Sequence, residues 1–253
     1  MKHWLTYFER NRANRVSLPY HTTPALTPIA LPESLRTALV ASLARFEVGE
    51  SGEGRRLKAG ALSTGDPDYC RAITLFLDEE HDHAAWLGKL INALGGAHLA
   101  GHWSDGAFVL LRHMGGLQTE LMILLVAEMI AQVYYPALRD GVPDPDCRAV
   151  FAQICRDEDG HVAFHRAFLR ERFRRQSGIE REATRALWYA LFRAACVVVL
   201  LDHKAVLREV GVSPGEFWTR AGAIFGETTR AIWGRKASAA LPEPYVCYDA
   251  QNG

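Results

Sequence analysis

Apolar residues return every three or four positions along most of this chain, the period of helices that each bury one face. No stretch carries the strict apolar and polar alternation of a half-buried strand, so an all-α protein is expected. Cap and turn residues punctuate the pattern. After an amphipathic N-terminal piece and an arm marked by Pro19, Pro24 and Pro28, Pro32 suits the first turn of a long helix running to about Leu62. Asp66-Pro67 opens a second helix, closed by Gly95-Gly96. Ser104-Asp105 opens a third, stopped by Gly141, and Asp144-Pro145 opens a fourth that reaches about Gln176. Two more apolar helices follow, roughly Glu180 to Val210 and Ser213 to Gly234, before an irregular tail, LPEPYVCYDAQNG. The predicted organisation is an arm (1–31), a four-helix bundle (32–176), a helical extension packed on it (177–236) and the tail (237–253). Gly49, Gly52 and Gly54 weaken the first bundle helix by about 1 kcal/mol each against alanine, which fits either close packing or a break.

Two apolar stripes contain residues that do not belong in a core. The second helix runs Ile73, Phe76, Leu77, Glu80, His83, Ala84, Leu87, Leu90, so Glu80 and His83 face inward. Asp78, Glu79, His81 and Asp82 fall to the sides or outside and read as a hydrated face. The fourth helix repeats the motif, with Glu158 and His161 on the stripe Phe151, Ile154, Cys155, Val162, His165, Phe168. Given 17 glutamates and 10 histidines, about 0.7 such spacings arise by chance, so context has to carry the inference.

That context is a second repetition. Glu50 lies 30 residues before Glu80, and Glu128 lies 30 before Glu158. Glu128 sits in LMILLVAEMIAQVYY, with no lysine or arginine between Arg112 and Arg139, and an ionised glutamate is almost never buried without a partner or a metal. Residues three apart on a helix project from the same face, so each Glu-x-x-His offers an oxygen and a nitrogen to one point. Two such helices and two single glutamates make the dinuclear site of a four-helix bundle, as in di-iron and di-manganese carboxylate proteins. Oxygen-rich ligands favour iron or manganese, and zinc stays open on ligand type alone. Glu47 and Glu53, one turn to either side of Glu50, are alternatives if the register slips. Glu47, Glu120 and His165 also stand where they could hydrogen-bond around such a site, with ordinary core contacts as the competing reading.

Composition narrows the setting. With 253 residues, 49% of them hydrophobic, and 29 acids balancing 29 bases, the chain can bury a large core and has no charge bias toward nucleic acid. The basic run Arg166 to Arg175 reads as a solvated helix end. Five scattered cysteines, never spaced Cys-x-x-Cys, suggest reduced thiols in a cytoplasm. The opening MKHWLTYFERNRANR lacks the apolar core of a signal peptide. The longest uninterrupted apolar run, AACVVVLL, falls short of the roughly 20 residues of a membrane span, so no transmembrane segment is expected.

Gly49-Glu50-Ser51 looks like the first-helix motif of rubrerythrins, and Glu128 followed by Tyr135-Pro136 resembles their third helix. The chain thus resembles the ferritin-like superfamily of di-iron carboxylate proteins over about Glu33 to Gln176. The resemblance implies a ferritin-like four-helix bundle with two additional C-terminal helices. Its ligands would be Glu50, Glu80, His83, Glu128, Glu158 and His161 around two iron ions, with manganese or a mixed pair as the alternative. Glu80 and either Glu128 or Glu158 would bridge. The expected activity is that of an oxidase or oxygenase using O2 on a small apolar substrate, with electrons from an external donor protein. The extra helices would wall a pocket, or serve as packing or a homodimer surface. The alternatives are a rubrerythrin-like peroxidase or a ferroxidase, and a metal-free helical interaction protein. No residue is assigned a catalytic role.

Overall fold

The computed structural model describes residues 1–13, 28–52, 54–103, 106, 108, 110, 111 and 115–234. Every regular element described is helical: α1 (Lys2–Ala13), α2 (Glu33–Glu50), α3 (Arg55–Leu62), α4 (Pro67–Ala93), α5 (Leu117–Gly141), α6 (Pro145–Phe173), α7 (Gly178–Asp202), α8 (Lys204–Glu209) and α9 (Pro214–Trp233). The all-α expectation holds. Pro19, Pro24, Glu53, the Ser104-Asp105 helix start and the tail fall outside the described residues.

The two helices that carry Glu-x-x-His start alike. Asp66 accepts a hydrogen bond from the Tyr69 N–H at 3.0 Å and Asp144 one from the Cys147 N–H at 2.8 Å, each with proline in the first turn. Ser177 and Glu180 form a capping box on α7, and Ser213 caps α9.

The long first helix of the sequence reading is two helices. α2 ends at Glu50, and the chain turns through Gly54, whose φ of 61° is left-handed, into α3. A Cβ at Gly54 would also meet the Leu77 methyls at 2.5 Å, so both backbone conformation and space require glycine there. α5 likewise begins at Leu117, after Gly116. The fifth predicted helix bends at His203, which ends α7 and precedes α8.

α2 packs along α4 and α5 along α6, and the two pairs meet through α4 and α6. The seam is filled by Leu39 and Leu43 of α2, Ile73, Phe76 and Leu87 of α4, Leu121, Leu125 and Met129 of α5, and Phe151, Ile154 and Phe164 of α6, all buried. Each contributes about 1.5–3 kcal/mol by leaving water. α1 lies on α4 and buries Trp4, Tyr7 and Phe8, while α7 and α9 pack on α5 and α9 also on α6. By length and composition both α5 and α7 could cross a membrane, so the run AACVVVLL understated the apolar span. In α5, 78% of the most apolar stretch is inside the protein, against 17% in α7.

Candidate metal centre

The seam between the helix pairs holds the charged residues. Glu50 (the last residue of α2), Glu80 and His83 (α4) and Glu158 (α6) each bring a ligand atom within 4.8 Å of the others. His83 and His161 are fully buried, Glu158 and Glu128 nearly so, and the Glu80 side chain is 12% exposed. His161 closes the group, its Nδ1 lying 2.9 Å from Glu80 Oε1 and 4.0 Å from Glu158 Oε2. His83 Nδ1 lies 3.7 Å from Glu158 Oε1 and 3.9 Å from Glu80 Oε1.

Both imidazoles are fixed from behind, and crosswise. His83 Nε2–H donates to Asp157 of α6 at 3.0 Å, and His161 Nε2–H donates to Glu79 of α4 at 2.9 Å. An acid on Nε2 holds the ring and turns the Nδ1 lone pair toward the carboxylates, the support a metal-binding histidine requires. Gln153 donates to both oxygens of Asp157 and in turn accepts from Arg156. Tyr135 Oη donates to Glu50 Oε1 at 3.2 Å.

The electrostatics are those of acids crowded out of water. Burial, with Glu80 and Glu158 nearby, pushes the Glu50 carboxyl well above its ordinary pKa, and burial with Glu80 does the same to Glu158. Burial also opposes ionisation of Glu80, but His161, 2.9 Å away, and His83 outweigh it and bring its pKa down to about 2. Burial works against a charged His161 too, yet Glu79 and Glu80 raise it well above the usual histidine value. Burial, then Glu50 and Glu158, holds the Tyr135 phenol protonated.

The donor set fits a cation. Among the described residues, fourteen buried side-chain nitrogen or oxygen atoms have no hydrogen-bond partner, and eight of them belong to Glu80, His83, Glu128, Glu158, His161 and His165. An unsatisfied buried polar atom costs about 1–3 kcal/mol. So many at one place point to positive charge held among them. A buried Glu and His cluster able to hold a metal ion is therefore present. No family model, curated protein or solved structure matches this chain. The geometry alone carries the functional reading.

Of the six residues expected as ligands, Glu50, Glu80, His83 and Glu158 form the cluster and His161 touches it. Glu128 is buried, and its charge bears on Glu158 while its Oε1 lies 3.1 Å from His165 Nε2. Glu47 is held by His98 at 2.8 Å and stands apart from the cluster. Glu120, in the first turn of α5, is buried near Tyr69 and likewise stays outside the cluster.

One reading is corrected. Glu79 is not part of a hydrated face: it is 2% exposed and anchors His161. Asp157, also buried, escaped notice. Both were marked in the sequence, because an acid immediately precedes the glutamate in each copy, Glu79-Glu80-x-x-His83 and Asp157-Glu158-x-x-His161. Tyr135, which entered the resemblance only through Tyr135-Pro136, donates to Glu50.

A cavity of about 290 Å³ reaches the cluster between α2, α5 and α7. Glu50, Glu80, Glu128 and Glu158 lie at one part of its wall. Phe46, Leu124, Ile130, Ala131, Leu191, Ala195 and Val199 make much of the remainder apolar. His203 also lines it. Its Nδ1 is 2.6 Å from Ser42 Oγ, which also hydrogen-bonds Tyr134 Oη, and burial lowers its pKa to about 3, keeping the imidazole neutral. α7 lines the cavity as expected of the fifth predicted helix, whereas α9, the sixth, contributes no lining residue.

Proposed function

We propose that the protein is a ferritin-like di-metal oxidase or oxygenase, with iron as its metal, acting with O2 on a small and largely apolar substrate. The observation that carries the reading is the concentration of partnerless carboxylate oxygens and imidazole Nδ1 atoms in one seam that opens onto a largely apolar cavity. The helices α2, α4, α5 and α6 would be the four helices of the ferritin-like bundle, with Glu50, Glu80, His83, Glu128, Glu158 and His161 as ligands. A bound pair of redox-active ions would supply the electrons that reduce dioxygen, replenished by an external donor protein.

The chain's own residues do the rest. Asp157 and Glu79 fix the two imidazoles, and Tyr135 orients Glu50. The apolar wall of α5 and α7 would hold an organic molecule against the carboxylates, and His203 offers the substrate one neutral polar contact. Elemental analysis after anaerobic loading with ferrous iron should find two ions per chain, with occupancy reduced in His83→Ala and His161→Ala. The loaded protein should then consume O2. Rapid turnover of peroxide or free ferrous iron, with no apolar probe taken up by the cavity, would transfer the assignment to a peroxidase or ferroxidase.

A further inference from the structure

His165 stands one turn beyond His161 on α6 and is fully buried. Phe76 meets both rings edge-on, with centroids 4.6 Å from His161 and 4.7 Å from His165, so one aromatic side chain positions the pair. Phe164 packs against His165 from its own helix. Unlike His83 and His161, His165 has no acid hydrogen-bonded to a ring nitrogen. Its Nε2 lies 3.1 Å from Glu128 Oε1 but out of line for a hydrogen bond, and both Glu128 oxygens are equally without one.

A structural ion pair should look different. A buried carboxylate and imidazole that stabilised each other would share a proton in line, since leaving both unsatisfied costs about 1–3 kcal/mol per group. Short approach without hydrogen-bond alignment is the geometry of two donors directed at a common third atom. His165 Nδ1 is partnerless on either account and does not discriminate.

We infer that His165 is a further metal ligand, binding through Nε2 together with Glu128, so that the site has two unequal halves. One ion takes a single nitrogen, from His83, and the other takes two, from His161 and His165. The inference rests on the di-metal reading and goes beyond its six ligands. Imidazole nitrogen suits a transition ion such as Fe(II) or Co(II), so the two-nitrogen half should be the more selective of the two.

The test uses the full chain loaded with Co(II) or Fe(II). Titration followed by visible absorption and elemental analysis gives the number and affinity of ions, and pulsed electron resonance on protein labelled with ¹⁵N-histidine counts coordinated nitrogens. The parent should bind two ions with three coordinated histidine nitrogens. His165→Ala should retain one ion at the parent's affinity, weaken the second at least tenfold and lose one nitrogen, while His98→Ala, at the surface beside Glu47, should change neither. Should His165→Ala fold poorly, the nitrogen count on the parent decides alone. Two ions bound through only two histidine nitrogens, or unchanged affinity in the variant, would overturn the inference and leave the di-metal reading standing. A parent that binds no metal would overturn both.

Discussion

Metal loading should expel protons, and the electrostatics of the seam say from which groups. Glu50 and Glu158 hold protons that an ordinary glutamate has lost above its reference pKa of 4.5, and His161 holds one beyond its usual 6.5. Glu80, its pKa brought down to about 2, is already ionised and contributes none. Ligands bind metal deprotonated, so loading on the acid side of neutrality should release protons from these groups, and apparent affinity should rise with pH there. Unperturbed glutamates would release almost nothing there. The same shifts fix the sign of stability. Protons held by the folded apo chain and lost by the unfolded one stabilise it below the ordinary pKa values, and this advantage disappears as pH rises through the raised ones. Glu80 acts at the other end, where its contribution is lost as pH falls from 4.5 toward 2. The metal-free protein should therefore be most stable on the acid side of neutrality. Calorimetric titration with Fe(II) in buffers of different ionisation enthalpy measures the release, and Glu50→Gln and Glu158→Gln should each lower it by about one. Release near zero in the parent, or release in both variants unchanged from the parent, would refute the crowded-acid account.

Three further outcomes follow from single contacts. Asp157→Asn and Glu79→Gln, which weaken the anchors of His83 and His161, should reduce metal affinity about 10–100-fold with helix content unchanged by circular dichroism. Ala195→Phe should fill the cavity, abolishing uptake of a small apolar probe such as benzene while two metal ions per chain are still found by elemental analysis. Gly160→Ala would place a methyl within 3 Å of the Tyr7 ring and push α1 from α6, costing about 1–3 kcal/mol in a denaturant melt.

The apolar period was enough to find α4 and α6 and to turn Glu80, His83, Glu158 and His161 inward, because each helix buries one stripe against a neighbour. It failed at the edges of that stripe. A residue one position before Glu80 lies about 100° round the helix, which is lateral on a single wheel. Where α4 and α6 meet, lateral positions face the seam, so Glu79 and Asp157 are as buried as the histidines they hold. The end of α2 was half legible, since three glycines signalled weakness while the left-handed turn at Gly54 depends on the approach of Leu77 from another helix. The lack of a lysine or arginine between Arg112 and Arg139 was informative, because what lies beside Glu128, His165, comes from α6. A pocket walled by the extra helices was one of two readings of their apolar mass, and that α7 lines it while α9 does not is a property of how α2, α5 and α7 are spaced.

The two halves repeat closely, and their differences carry the specialisation. Asp66 and Asp144 cap their helices 14 residues before Glu80 and Glu158, and each half supplies the acid that anchors the other half's histidine. A shift of α4 against α6 would therefore break both anchors together, which couples integrity of the site to the central packing of the bundle. The single glutamates are treated differently: Glu50 receives a phenol hydrogen bond from Tyr135, and Glu128 faces His165. The cavity respects a further division, since all four carboxylates line it and His83, His161 and His165 do not. An imidazole can offer one nitrogen in one direction, whereas a carboxylate can rotate between one and two bound oxygens. With ions in place, the nitrogens, those of His83 and His161 anchored by acids, would form the back of the site and the adaptable oxygens its open face. A centre built this way can admit a second small molecule from the cavity by moving carboxylates, without loosening the nitrogens that retain its ions.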